Sequence, residues 1–164
     1  MEEITNSPKK KETDSILDLL IMAYMYGVED VSLSLNGDFK ADKNKLEKSI
    51  YKKIDGKTWV DRLKDTDDVK RIVVSEAHRV FSDGQWDTAD GKATHKIWHT
   101  REDDKVRDTH WYIDNLKVGI NDYFYTLDGD RALKPYGFEE ASNNIQCRCY
   151  LEYRREEKGE EHED

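Results

Sequence analysis

Hydrophobic and polar positions alternate along this chain with two different periods, and the change of period divides it. Thr13-Asp14-Ser15 supply capping side chains, and Ile16, Leu17, Leu19, Leu20, Ile21 and Ala23 follow before Gly27. This pattern predicts an apolar helix packed on several sides and closed at Gly27. Residues 28–39 alternate weakly through Val31, Leu33 and Leu35 to Asn36-Gly37 and read as either a short strand pair or a loop with buried anchors. Leu46, Ile50 and Ile54 stand at i, i+4 and i+8, which predicts an amphipathic helix over 40–54 broken by Gly56. Thr58 then caps a short helix through Trp59 and Leu63.

Thr66-Asp67-Asp68 opens a further helix, its acids suited to the positive end of the helix dipole. Val69, Ile72, Val73 and Val80 form one stripe, with Glu76 in its middle. A carboxylate on an apolar face is costly unless it is paired, so Glu76 is expected to be buried beside a cation. His78 falls on the opposite, polar face. Gly84 and Gly91 are expected to flank a loop holding Trp86. From Thr94 to Thr100 the β-branched and aromatic residues predict a strand. Asp103-Asp104 can cap a short helix carrying Val106, Arg107, His110 and Trp111. The region after Gly119 reads as loops, and its Asp128-Gly129-Asp130 lacks the later ligands of an EF-hand. Over 145–153, Ile145, Cys147, Cys149 and Leu151 alternate with Gln146, Arg148 and Tyr150, which predicts a final strand with both thiols facing inward. The fold class that results is α+β, a helical N-terminal half followed by a small antiparallel or mixed sheet with a short helix.

Composition changes this picture at the ends. With 38% charged residues and a mean hydropathy of −0.98, the chain is too polar for a single packed unit along its whole length. Residues 1–12, with Lys9-Lys10-Lys11, are expected to be a disordered arm, 13–153 the folded domain, and 154–164 a disordered acidic tail. No apolar run approaches the roughly 20 residues of a membrane span, and the amino terminus does not resemble a signal peptide. The net charge of −9 argues against a general coating of nucleic acid by the whole surface. The six lysines of 40–54 form the most basic stretch, read first as a solvated helix face.

The candidate chemistry is confined to a few residues. Arg107 and His110 are three apart on one face of the predicted helix, and His110 aligns with Val106 and Ile113 toward the core. Glu76 would find in Arg107 a bidentate partner. Glu76, Arg107 and His110 together could form an acid/base site for a phosphodiester, although a buried ion-pair network is the favoured reading of the same residues. Cys147 and Cys149 are too close in sequence to form a strain-free disulfide from an extended strand and read as reduced thiols. With His110, and with His99 or Asp108 as a fourth ligand, they could hold a structural zinc.

Several of these residues recur in a family pattern. Lys96-Ile97-Trp98-His99-Thr100, Asp104-Lys105-Val106-Arg107-Asp108-Thr109-His110 and Ile145-Gln146-Cys147-Arg148-Cys149-Tyr150-Leu151 resemble the succession K-x-W-x-T, D-x-R-V-R-x-x-H and N-C-R-C-x-L of phage minor head proteins. These are head morphogenesis proteins similar to protein F of phage Mu. Arg71–Arg79 and Gly56–Leu63 resemble upstream segments of the same family, so the likeness covers about residues 56–151. Departures fall at Val74-Ser75, Lys105 and Asn115. The resemblance implies a virion component of the capsid interior or portal vertex, made in the bacterial host. Its implied partners are the portal protein, the major capsid protein and packaged double-stranded DNA, with no membrane. It favours a particle component over a catalyst.

Overall fold

A computed structural model describes residues 10–156. The element order is α1 (Lys10–Ser34), α2 (Lys43–Ile50), α3 (Trp59–Lys64), α4 (Val69–Ala89), β1 (His95–His99), α5 (Asp108–Trp111), β2 (Lys117–Gly119), β3 (Phe124–Tyr125), β4 (Arg131–Ala132), α6 (Ala141–Asn144) and β5 (Tyr150–Arg154). The chain is therefore α+β, with its helices first and small antiparallel sheets after.

Two long helices set the frame. The start of α1, at Ser15 and Ile16, lies beside the start of α4, at Val69 and Val73. Further along, Gly27 meets Gly84, so the two helices run in the same direction. A Cβ on Gly84 would stand 2.2 Å from the Tyr24 carbonyl oxygen, and one on Gly27 would stand 2.3 Å from that of Phe81. Only glycine permits backbones this close. Gly27 thus sits inside α1 rather than at its end, and Val28, Val31 and Leu35 continue its buried face. The expected strand pair or loop after Gly27 is helix as far as Ser34. Gly84 and Trp86 likewise lie inside α4, not in a loop. Of the expected N-terminal arm, Lys10–Glu12 are helical; residues 1–9, and of the expected tail 157–164, lie outside the described residues, while Arg154 belongs to β5.

Side-chain caps open α2, α3 and α4, the last two at residues the sequence predicts. The Asp42 carboxylate accepts from the backbone N–H groups of Asn44 and Lys45 at the start of α2. Thr58 and Asp61 form a reciprocal capping box on α3. Asp68 caps α4 by accepting from Arg71 N–H. The lysines of α2 are solvated: Lys43, Lys45 and Lys48 are exposed, while Ser49 and Ile50 are buried.

β1 is central in the order β2-β1-β5, antiparallel to both neighbours, with Trp98 opposite Leu151 and Ile97 opposite Lys117. β3 and β4 form a separate hairpin through Asp128-Gly129-Asp130. One core cluster, Leu20, Tyr24, Val28, Ile50, Trp59, Leu63 and Val80, lies among the helices. The second gathers Val31, Ala89, Trp98, Ile113, Phe124, Phe138, Leu151 and both cysteines around the sheet. Gln85 of α4 joins the two halves, donating to Asp30 at 2.7 Å and to the Leu151 carbonyl at 2.9 Å.

Candidate functional site

The predicted site residues separate into three places. Glu76 is 2% exposed, as the apolar stripe around it requires. Its partners are Arg62 of α3, whose guanidinium donates to one carboxylate oxygen, and Arg79, whose Nε donates to the other at 2.6 Å. Arg79 continues to Asp83 at 3.1 Å, and Asp83 also accepts from Ser49 at 2.7 Å and Lys134 at 2.5 Å. For Asp83, burial favours the neutral acid, but Lys134, Ser49 and Arg79 outweigh it and hold its carboxyl below the usual range. This chain of alternating charges ties α2, α3 and the 134 loop to α4. The expected Glu76–Arg107 pair is not formed. α3 is next to α4 in space and brings Arg62 to Glu76, whereas Arg107 is committed elsewhere.

Arg107 is the N-cap residue of α5, and its guanidinium donates to the Ile145 carbonyl. That contact explains the spacing of the 107/110 pair. The segment 145–149 is not a strand, contrary to its alternation: β5 begins at Tyr150, Gln146 has φ 54°, and Ile145 is 51% exposed. Its carbonyls therefore have no sheet ladder and need other donors. Arg107 serves Ile145, the Tyr136 hydroxyl donates to the Cys147 carbonyl at 2.5 Å, and Arg101 Nε donates to the Arg148 carbonyl at 3.0 Å. Upstream, the Asp130 carboxylate accepts from the N–H groups of Glu139 and Glu140 and from Asn143, fixing the start of α6.

So held, the loop turns both thiols toward His110, one helical turn beyond Arg107. Cys147, Cys149 and His110 are all buried, and both cysteines are free thiols. His110 Nδ1 lies 3.8 Å from Cys147 Sγ and 3.6 Å from Cys149 Sγ. The imidazole is wedged in aromatic surroundings, edge-on to Trp98 and stacked on Phe138. Its Nε2 is buried without a hydrogen-bond partner. Hydrogen bonds from Cys149 and His110 hold the Cys147 thiol well below its ordinary range in spite of burial. The same contact with Cys147, together with burial, pushes Cys149 up. Among the described residues the cluster consists of these three donors, all within 4.8 Å of one another. His99, expected as a possible fourth member, points elsewhere: its ring stacks on Tyr150 and contacts Glu152 at 3.3 Å. Asp108 is exposed on the first turn of α5 and is not in the cluster. Glu76, Arg107 and His110 therefore do not converge on one reacting position.

Beside the cluster opens a cleft of about 530 Å³. Lys70 and Arg71 from α4, Lys105 and Arg107 from the loop before α5, and Arg148 from the cysteine loop line it, with Asp68 as the opposing carboxylate. Its cations come from three segments distant in sequence, so no local charge run marks them. His78, on the polar face of α4, also lines it and is held below its ordinary pKa by burial and by Arg101.

The comparisons with known proteins agree with the motif succession. A family model described as Phage Mu protein F like protein matches residues 42–152. No curated protein and no solved structure matches the chain. The matched range runs from α2 into β5, as far as Glu152, and includes the glutamate network, the cysteine–histidine cluster and the basic cleft.

Proposed function

Because the chain belongs to the family of Phage Mu protein F like proteins, we propose that it is a virion-associated minor head protein, acting in capsid or portal assembly or in the packaging and delivery of DNA. The family supplies the coarser statement, a bacteriophage head protein with a role in head morphogenesis. The finer reading rests first on the extent of that match, which spans most of the folded part.

Two surfaces support it. The cleft of Lys70, Arg71, Lys105, Arg107 and Arg148, with Arg148 paired to Asp103 and Arg71 to Asp68, still offers an excess of cations to a phosphate backbone on an otherwise acidic protein. On α1, Leu19, Met22, Met25 and Tyr26 are 42–61% exposed. Apolar surface of this kind marks protein contacts, which suits docking on portal or capsid subunits. No helix among the described residues is long and apolar enough to cross a membrane. The acid/base reading of Glu76, Arg107 and His110 gains no support from their separation.

Purification of particles of the encoding phage or prophage, followed by peptide detection, tests the proposal. The chain should co-purify with filled heads at a constant ratio to portal protein. Abundance in the lysate combined with absence from the particle would overturn it.

A further inference from the structure

We propose that Cys147, Cys149 and His110 bind a zinc ion, with a solvent molecule as the fourth ligand. A tetrahedral zinc with Zn–N of about 2.05 Å and Zn–S of about 2.3 Å sets N···S separations of about 3.6 Å. The two separations in this protein, 3.6 and 3.8 Å, match that value before any rearrangement. Two thiols and an imidazole are the preferred donors of zinc, and here they converge from two segments rather than from one local turn. Packing alone gives no reason for this polarity. A core filled for its volume alone would place apolar side chains between Trp98 and Phe138, where His110 instead presents Nδ1 to both sulfurs. The backbone around the donors is held from outside. Arg107, Tyr136 and Arg101 each secure one carbonyl of the cysteine loop, which fixes the backbone that presents the two thiols to His110.

The fourth position has room on one side. A cavity of about 10 Å³ touches His110 and Cys149, lined also by Arg107, Gln146 and Arg148. That volume is close to the minimum for a single water. Zinc with two thiolates carries no net charge, so the neighbouring guanidinium groups are not repelled, and a bound water fits their donors. Binding releases the thiol protons to solvent, so affinity should rise with pH until both sulfurs are thiolates.

The test uses the full-length chain expressed with zinc in the medium and desalted over a chelating resin. Elemental analysis should find about one zinc per chain, and Cys147→Ser or Cys149→Ser should reduce it to less than about a tenth. Should these variants fail to fold, the unaltered protein decides alone. Stripped of metal and titrated with cobalt(II), it should develop a sulfur-to-cobalt charge-transfer band and the intense visible bands of tetrahedral coordination. Both should saturate near one equivalent and be bleached by zinc. Two results would overturn the proposal: wild-type protein that retains no zinc and shows no thiolate–cobalt band, or a metal signal that survives unchanged in a folded Cys147→Ser/Cys149→Ser variant.

Discussion

At the scale of single residues, the buried charges are the most consequential choices in this chain. Arg79 and Glu76 are 3% and 2% exposed, so removing the carboxylate takes away the shared partner of two guanidinium groups and leaves the buried Arg79 with Asp83 alone. Glu76→Ala should cost about 3–5 kcal/mol in a urea melt. Arg107→Ala should cost less, because it frees one carbonyl of an exposed loop rather than a buried ion. Equal losses would mean that the two residues act as a pair after all. Lys96 presents the opposite case. It is fully buried in β1, donates to the Leu133 carbonyl at 2.7 Å, and lies over the rings of Trp86 and Phe124. Burial lowers its pKa from 10.5 to about 8. The folded protein therefore releases this proton near pH 8, while the unfolded chain holds it until about 10.5. Between those values the unfolded state binds more protons, so the Lys96 contribution to stability rises with pH and is flat below about 8. Denaturant melts at pH 7, 8, 9 and 10 should show that rise in the wild type and not in Lys96→Met. Parallel curves for the two proteins would refute the buried, depressed lysine.

At the scale of elements, the crossing of α1 and α4 governs the helical half. Contact at Gly27 and Gly84 brings backbone against backbone, so a single methyl has nowhere to go. Gly84→Ala should destabilise by about 1–3 kcal/mol or more, because the helices must part. This is the reverse of the usual gain from replacing glycine inside a helix. Thr58→Ala, which removes one half of an exposed capping box, should cost about 1 kcal/mol. Thermal melts of the two variants give the ranking directly. A Gly84→Ala protein as stable as wild type would show that the close approach is not needed. The same elements show why local patterns misled at three points. Gly27 looked like a helix stop, Gly84 like one edge of a loop, and 145–153 like a single strand. At both glycines the packing partner, not the local backbone, demanded glycine. In the predicted strand only the part from Tyr150 pairs: Ile145 is in solvent, the chain turns at Gln146, and of the alternating apolar residues Leu151 joins the sheet.

At the scale of the whole molecule, the formal charge is −9, yet one cleft gathers Lys70, Arg71, Lys105, Arg107 and Arg148. Such a protein should bind duplex DNA weakly, only through that cleft, and with a salt dependence set by few contacts. Engagement of three or four phosphates gives a slope of log K against log salt of about −3 to −4. Lys70→Glu/Arg71→Glu should abolish binding measured by fluorescence anisotropy at low salt, whereas Lys43→Glu/Lys45→Glu on α2 should leave most of it. Equal effects of the two pairs would mean that the DNA contact is diffuse and the cleft has no special part.

The sequence by itself determined the local features. Helix starts at Thr58 and Asp68 were legible because a cap is a contact between residues two or three apart. The burial of Glu76 followed from its place on one helix face, and the motif succession 96–100, 104–110, 145–151 identified the family because order along the chain is what a family pattern records. Only the tertiary structure decided who meets whom. Glu76 pairs with Arg62 and Arg79 rather than Arg107, because α3 packs on α4 and the loop at 145 claims Arg107. His99 is separated from the thiols, because β1 directs it to Tyr150 while α5 carries His110 inward. The basic cleft joins positions 70, 105 and 148, whose proximity is a consequence of chain topology. Pairings of this kind depend on which surfaces the folded chain brings together, and no periodicity along a single strand of sequence carries that information.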